Sequence, residues 1–232
     1  MNIPLSPRLR TCCRFIPKGA RVADVGTDHG YLGIWLLQQG IARSVIASDI
    51  VPGPLSAAKR NAEKYNCADK MEFCLSDGVQ NIPRDFDVLV CAGMGADTMV
   101  SILRAAPWLQ KNHRTLVLQC QSKTPMLRRY LSESGWRIVT EAVVRDGKFL
   151  YTVMEVCWQP DFLKLTPAQW HFPAVLLENK EAETAAYYQW VTEGLRIATK
   201  HRPDPQLEDA LSQLTALAEE HPWLKEDSHD DD

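Results

Sequence analysis

Arg21-Val22-Ala23-Asp24-Val25-Gly26-Thr27-Asp28-His29-Gly30-Tyr31-Leu32 decides the fold. Residues 22–25 have the apolar character of a short buried strand. Residues 26–30 form a turn bounded by two glycines, and residues 31–38 are apolar at helical spacing. Strand, glycine turn and helix in this order open a nucleotide-binding α/β unit. Gly26 and Gly30 let the backbone turn sharply and approach a ligand that a Cβ would hold off.

The turn departs from the dinucleotide fingerprint G-x-G-x-x-G. It is G-x-D-x-G, with Asp28 where a second glycine would sit. A carboxylate there faces a pyrophosphate unfavourably, but it suits a ligand that carries an ammonium and a sulfonium cation, as S-adenosylmethionine does. Asp24, at the end of the strand, points the same way. NAD is the weaker alternative, and a glycine turn without a ligand is the plainest one.

Further acids follow at the ends of later strands. Ser44-Val45-Ile46-Ala47-Ser48-Asp49 is a second strand ending in a carboxylate that can accept both ribose hydroxyls of a nucleoside. Residues 51–54, Val-Pro-Gly-Pro, are expected as a turn before a helix over 55–65. Met71-Glu72-Phe73-Cys74-Leu75 is a third strand, and Asp77 in the following Ser76-Asp77-Gly78 is placed to bond an adenine amino group. A fourth strand over 86–91 runs into Ala92-Gly93-Met94-Gly95, where two glycines allow close approach of a substrate.

A fifth strand is expected over 115–120 and a helix over 125–134. Two last strands, over 136–144 and 148–156, flank the hairpin signal Asp146-Gly147. Five strand–helix repeats and a hairpin describe a doubly wound sheet with an antiparallel strand near one edge. Ligands on such sheets bind beyond the carboxyl ends of the strands, where Asp24, Asp49, Asp77 and residues 92–95 all fall.

From residue 160 the character changes. A linker rich in proline and aromatics leads to a long helical run over 174–200. Arg202-Pro203-Asp204-Pro205 breaks it, and a second helix follows over 206–220, with Leu207, Leu211, Leu214 and Leu217 on one side. This describes a helical hairpin of coiled-coil type, with an acidic tail over 226–232. The expected organisation is a catalytic unit over 1–159 and a helical unit over 160–232.

The chain has 232 residues and ordinary globular composition, 45% hydrophobic and 24% charged. Residues 1–159 carry 20 Lys and Arg against 14 Asp and Glu, and residues 160–232 carry 6 against 15. The first part can therefore attract a polyanion despite the net charge of −3. No apolar run is long enough to span a bilayer and no secretory signal opens the chain, so a cytoplasmic protein without membrane contact is expected. Seven cysteines without a C-x-x-C pair argue against a zinc site or a disulfide framework, and no metal is expected.

A first helix begins at Ser6-Pro7, and Arg8, Arg10, Arg14, Lys18 and Arg21 form a basic cluster ahead of the glycine turn. They serve either a phosphate contact or a solvated face.

These segments resemble the bacterial tRNA adenine-N1 methyltransferases of the TrmK type. The likeness is carried by Ser6-Pro7-Arg8-Leu9, by residues 24–32, by Ala47-Ser48-Asp49-Ile50 with Gly53-Pro54-Leu55, by Ser76-Asp77-Gly78 and by Ala92-Gly93-Met94-Gly95. The resemblance implies a class I S-adenosylmethionine-dependent methyltransferase fold and methyl transfer to N1 of adenine 22 in tRNA. The residues implied at the cofactor are Asp24, Gly26, Thr27, Asp28, Gly30, Asp49, Ile50, Asp77, Gly78, Ala92 and Gly93. Asp28, His29 and Met94 are implied at the chemistry.

Asp28 would stabilise the cationic product base or hold the cofactor's ammonium. His29 and Tyr31 would line the pocket, against the alternatives of a loop histidine and a packed aromatic; for Met94 the alternative is core packing. Ala96 stands where the family has a further glycine, which either narrows the base pocket or starts a helix. A tRNA track is expected from Lys123, Arg128, Arg129, Arg145 and Lys148, with Lys180, Arg196 and Lys200 in the helical unit. The chain is expected as a monomer or weak homodimer. Alternatives are a methyltransferase acting on a small molecule or a protein, and a non-catalytic module that binds S-adenosylmethionine or RNA.

Overall fold

The computed structural model describes residues 3–111, 114–178 and 180–226. Its elements are α1 (Pro7–Arg14), β1 (Ala20–Val25), α2 (Tyr31–Gln38), β2 (Ala42–Asp49), α3 (Pro52–Lys64), β3 (Met71–Leu75), β4 (Val88–Met94), α4 (Ala96–Ala105), β5 (Thr115–Cys120), α5 (Thr124–Glu133), β6 (Trp136–Asp146), β7 (Phe149–Trp158), α6 (Pro167–His171), α7 (Ala182–His201) and α8 (Pro205–Glu220). The strands form one seven-stranded sheet in the order β3-β2-β1-β4-β5-β7-β6. The pairs among β1 to β5 are parallel, and β7 runs antiparallel to both of its neighbours. This is the doubly wound sheet, with one antiparallel strand beside an edge, that the strand pattern predicts.

Alternate residues of the central strands feed two cores. Val22, Val88, Val90 and Val117 pack with Cys12, Leu32 and Ile34 from α1 and α2. Ala23, Leu89, Cys91, Leu116 and Leu118 pack with Met99, Leu103, Leu127 and Leu131 from α4 and α5. Helices on both faces explain why these strands are continuous apolar runs in the sequence. Burial pushes the thiols of Cys12, Cys13 and Cys91 up, so they act as small apolar groups and not as nucleophiles.

Several boundaries differ from expectation. Residues 52–54 are the first turn of α3, not a separate turn, because early helical positions need no intrahelical N–H partner and therefore accept proline. Residues 76–87 join β3 to β4 through turns without a helix, so the strand–helix units number four rather than five. β4 runs on through Met94, which makes Ala92-Gly93-Met94 a strand end and not a loop. The helical run expected over 174–200 is divided, with a 3₁₀ turn at Ala174–Glu178 and α7 starting at Ala182. Beyond Glu226 the expected acidic tail lies outside the described residues.

The C-terminal helices build a third core. Phe172, Leu176, Tyr188, Leu195, Leu214 and Leu224 pack with Val143 of β6, so the α7–α8 hairpin buries its apolar face against α6 and the sheet edge as well as against itself. The Tyr188 hydroxyl donates to the Leu214 carbonyl at 2.8 Å across the hairpin.

Arg128, expected on a tRNA track, is instead fully buried with Glu141. Its Nε and Nη2 donate to the two Glu141 carboxylate oxygens at 3.2 and 2.7 Å. Nη1 donates to the carbonyls of Trp170 and His171 at 3.0 and 2.8 Å, and Nη2 also reaches the Tyr187 hydroxyl at 3.2 Å. One guanidinium thus ties α5 and β6 to α6 and α7. Burial works against its charge, but Glu141 and Tyr187 more than offset this and hold its pKa above the ordinary value. Arg128→Ala removes the buried ion pair and the guanidinium donors to two carbonyls and is expected to cost about 3–5 kcal/mol of unfolding free energy. Chemical denaturation measures this; a loss below about 1 kcal/mol, as for a surface pair, would contradict it.

Candidate active site

Strand order reverses between β1 and β4, and a cleft of about 320 Å³ opens there at the carboxyl ends of the strands. Its floor is the glycine turn. The Gly26 and Thr27 N–H groups both donate to the Ser48 carbonyl at 2.9 Å, which ties the turn to the end of β2. Gly26 has φ +74°, and a Cβ there would overlap the Met94 methyl. Gly30, also at φ +74°, is the N-cap of α2, and its Cβ would press on the Cβ of Ala58 at 3.0 Å. Both positions therefore require glycine for backbone and space together.

Asp24 lies under the turn, 3% exposed, and accepts a hydrogen bond from the Thr27 hydroxyl at 2.7 Å. Burial pushes its carboxyl up to about 6; the Thr27 bond opposes this and the nearby Asp49 charge adds to it. Asp28, at φ +53°, is exposed at the rim, with one carboxylate oxygen 3.7 Å from His29 Nε2. The His29 ring stands 5.8 Å from that of Tyr31, which is part-exposed at the start of α2.

Asp49 sits beside the cleft. Its Oδ2 accepts from the Asp28 N–H at 3.2 Å and its Oδ1 from the Val51 N–H at 2.9 Å. Two backbone donors hold the carboxylate in one orientation and leave it further acceptor capacity. The Ser76 N–H donates to the Asp49 carbonyl at 2.9 Å, so the end of β3 follows that of β2. Ile50, Val51 and Leu75 are large apolar residues left more than half exposed, or nearly so, around this acid.

The sequence-predicted residues divide accordingly. Asp24, Gly26, Thr27, Asp28, His29, Ala92 and Gly93 line the cleft. Asp49 joins them through the Asp28 N–H. Ile50, Asp77 and Gly78 lie along the β2–β3 rim, with Asp77 exposed and its side chain outside the cleft lining. Met94 packs against the core beneath α4 and α5 and over Gly26. Ala96 starts α4 and is fully buried, which decides for the helix-start reading of that position.

Gln119 and Gln121 were not anticipated here, whereas Arg8 was expected within the basic cluster ahead of the glycine turn. Gln119, buried in β5, accepts the Gly93 N–H at 3.0 Å and so orients the bulged end of β4. Gln121 and Arg8 close the far side of the cleft. The Gln121 amide, with its oxygen toward Arg8, accepts from Arg8 Nη1 and donates to the Gly93 carbonyl at 3.3 Å. For Gln119 the only sequence signal was a glutamine inside an apolar strand. The basic cluster itself splits: Arg8 is at the cleft, whereas Arg21 pairs with Glu72 and Asp85 near the opposite end of β1.

Residues 5–154 match the protein family described as methyltransferase domain. The chain belongs to that family. Over 154 residues this methyltransferase is 30% identical to the tRNA (adenine(22)-N(1))-methyltransferase of Bacillus subtilis. That stretch is 66% of this chain and 65% of the relative, so just under two thirds of the relative's length is matched. Two solved structures are similar over nearly the whole chain. The B. subtilis m1A22 tRNA methyltransferase TrmK is 25% identical, with TM-score 0.76 over 97% of this chain and 98% of that one. A Streptococcus pneumoniae candidate tRNA (m1A22) methyltransferase, solved with S-adenosyl-L-methionine, is 27% identical, with TM-score 0.80 over 90% and 97%. Together with the sheet, these place the methyltransferase in the class I fold.

Asp24 carries a test of the cleft's electrostatics. Its carboxyl keeps its proton up to about pH 6 in the folded chain but only to about 4 when unfolded. Folding therefore takes up a proton between these values, and stability falls as pH rises from 4 to 6. Asp24→Asn is expected to remove that slope and to add on the order of 2 kcal/mol at pH 7. Denaturation curves at pH 4.5 and 7 check it; a variant less stable than the parent at pH 7 would contradict it.

Proposed function

We propose that this methyltransferase transfers the methyl group of S-adenosylmethionine to N1 of adenine 22 in tRNA. Whole-length likeness to two structures of that description supports the reading, together with a cleft whose acids suit a cationic nucleoside. Residues 1–159 form the catalytic unit and residues 160–232 a helical unit that meets the RNA. The enzyme is a cytoplasmic monomer or weak homodimer.

The geometry supports a role for each cofactor residue. Buried Asp24, with one hydroxyl as partner, is suited to the methionine ammonium. Asp49, oriented by two backbone donors, takes the ribose hydroxyls. Asp77 takes the adenine amino group, and Ile50 covers a face of the base, 62% exposed and otherwise without a reason to be bare. Gly26, Thr27 and Gly30 shape the turn, and Gly78, Ala92 and Gly93 complete the walls. When bound, S-adenosylmethionine supplies a methyl group on a sulfonium leaving group.

The remaining task belongs to the chain. Adenine N1 lies on the pairing edge, so the base must be turned out of its stack, at a cost of a few kcal/mol. Its lone pair needs no deprotonation. In-line positioning is then the main contribution, worth about 7–11 kcal/mol. The product base is cationic, and Asp28 at the rim, beside His29, is placed to stabilise it as charge develops. With Asp24 on the ammonium, Asp28 is free for this role. Met94, stacked over Gly26, shapes the floor below.

Among the basic residues expected to meet tRNA, Arg145 and Lys148 adjoin exposed Phe149 in a shallow depression, and Lys123 lies at the start of α5. Arg129 is an exposed cation over Trp170.

Transcripts with adenine or guanine at position 22, mapped by mass spectrometry after reaction, test the assignment. Methyl incorporation at adenine 22 alone is expected; equal incorporation into the guanine transcript, or none into either, would overturn it. Asp28→Asn, which tolerates the positive φ, is expected to lower kcat about 10²-fold while cofactor affinity stays near the parent's. RNA affinity is expected to fall about 10²-fold between 50 and 200 mM salt, the response of about four phosphate contacts. A flat salt response in a filter-binding assay would remove the basic track from the model of recognition.

A further inference from the structure

A second cavity, larger than the cleft, lies beside it. It measures about 440 Å³ and lies between the ends of β5 and β7, the start of α5 and one side of α7. It adjoins the cleft, because Gln121 lines both. On its other side Trp190 of α7, 64% exposed, is shared with the depression formed by Arg145, Lys148 and Phe149. Cleft, cavity and basic depression are thus three consecutive hollows, joined by Gln121 on one side and by Leu150 and Trp190 on the other.

Four features of the cavity point to a ligand and to its chemistry. First, its wall holds an unmet polar group: Thr152 is 1% exposed and its Oγ1 has no hydrogen-bond partner among the described residues. A buried hydroxyl without a partner is unfavourable unless something enters to bond it.

Second, Gly194 faces the cavity from within a 20-residue helix. A Cβ there would meet nothing within 4 Å, so packing does not require glycine, while the helix would be more stable with alanine. The missing side chain keeps the hollow open.

Third, the lining offers flat surfaces: the exposed Trp190 indole, with Tyr151, Tyr187 and His171. Burial and the nearby Arg128 lower the His171 pKa to about 4, so its ring is neutral at physiological pH. Fourth, the lining contains no Asp or Glu and one cation, Lys123, in a region whose helices are otherwise rich in acid. Aromatic surfaces with isolated polar groups and no carboxylate suit a nucleobase on a polyanionic strand.

We propose that this cavity is a second base subsite, which takes an unstacked nucleobase next to the methylated adenine in the same RNA strand. The inference rests on the RNA reading of the cleft. An enzyme that turns one base out of a stack breaks the stacking of its neighbours, and a hollow one side chain away can hold the neighbour that is released. Trp190 stacks on that base, and Thr152 and the Gln121 amide bond its edge. Its phosphates run toward Arg145 and Lys148.

Filling the cavity from the glycine tests this without touching the cleft. Gly194→Leu is expected to leave thermal stability and S-adenosylmethionine affinity at or above the parent's and to raise KM for tRNA by at least about tenfold, the contribution of one stacked base. Gly194→Ala, which adds one methyl group in open space, is expected to stay within about threefold of the parent.

Transcripts abasic at one or other neighbour of adenine 22 complete a cycle. One of them is expected to raise KM by a similar factor with the parent enzyme and to have no further effect with Gly194→Leu. A parental KM for Gly194→Leu, or two effects that multiply, would overturn the subsite while leaving the methyltransferase reading intact. No methyl transfer by the unsubstituted chain to any tRNA would overturn that reading, and the subsite with it.

Discussion

The backbone of residues 26–28 is tied to the end of β2 by three N–H groups. Two converge on the Ser48 carbonyl and the third meets the Asp49 carboxylate. The turn can take this path only because Gly26, Asp28 and Gly30 adopt positive φ, which two glycines and an aspartate tolerate better than most residues. Everything at the cleft follows from it. The path buries Asp24 beneath the turn, orients Asp49 toward the same side, and brings the N-terminus of α2 to the rim. An acid in the position of Asp24 is destabilising to the empty protein and favourable to a cation, which is the form of preorganisation that electrostatic binding and catalysis use.

A second buried charge organises the other end of the molecule. Arg128 and Glu141 are removed from water as a pair, and the remaining donors of the guanidinium are taken up by α6 and α7. The helical unit is thereby held in register with the strand ends. Because α7 is held there, its glycine and tryptophan face a hollow that adjoins the cleft. Acidic charge is concentrated in the C-terminal third of the sequence, yet the wall of that hollow has none. The outer side of the helical unit therefore repels a polyanion, whereas the wall of the hollow does not.

Much of this was legible in the sequence because it is local. The unit β1, glycine turn, α2 is contiguous, Asp49 ends a buried strand, and Asp77 follows the part-exposed edge strand β3. What was not legible depends on contacts far apart in the chain. Gln121 meets Arg8, and Gln119 meets Gly93, through strand order rather than sequence proximity. Arg128 has the appearance of a surface residue on an amphipathic helix, and nothing local reveals that Glu141 and two carbonyls enclose it. The prolines at 52 and 54 signal a turn equally well whether a helix follows at once or later, and only the structure decides. Asp77, assigned to the adenine from its position after β3, is at that strand end but exposed, outside the cleft lining.

The central claim is that adjacent strand ends, with Asp24 and Asp49 at their tips, form one site for a cationic nucleoside. Calorimetric titration of the purified chain with S-adenosylmethionine, alongside Asp49→Ala, tests it most directly. One site per chain, weakened at least about tenfold in the variant, is the expected result. Absence of binding to the parent chain, or equal affinity in the two proteins, would contradict it.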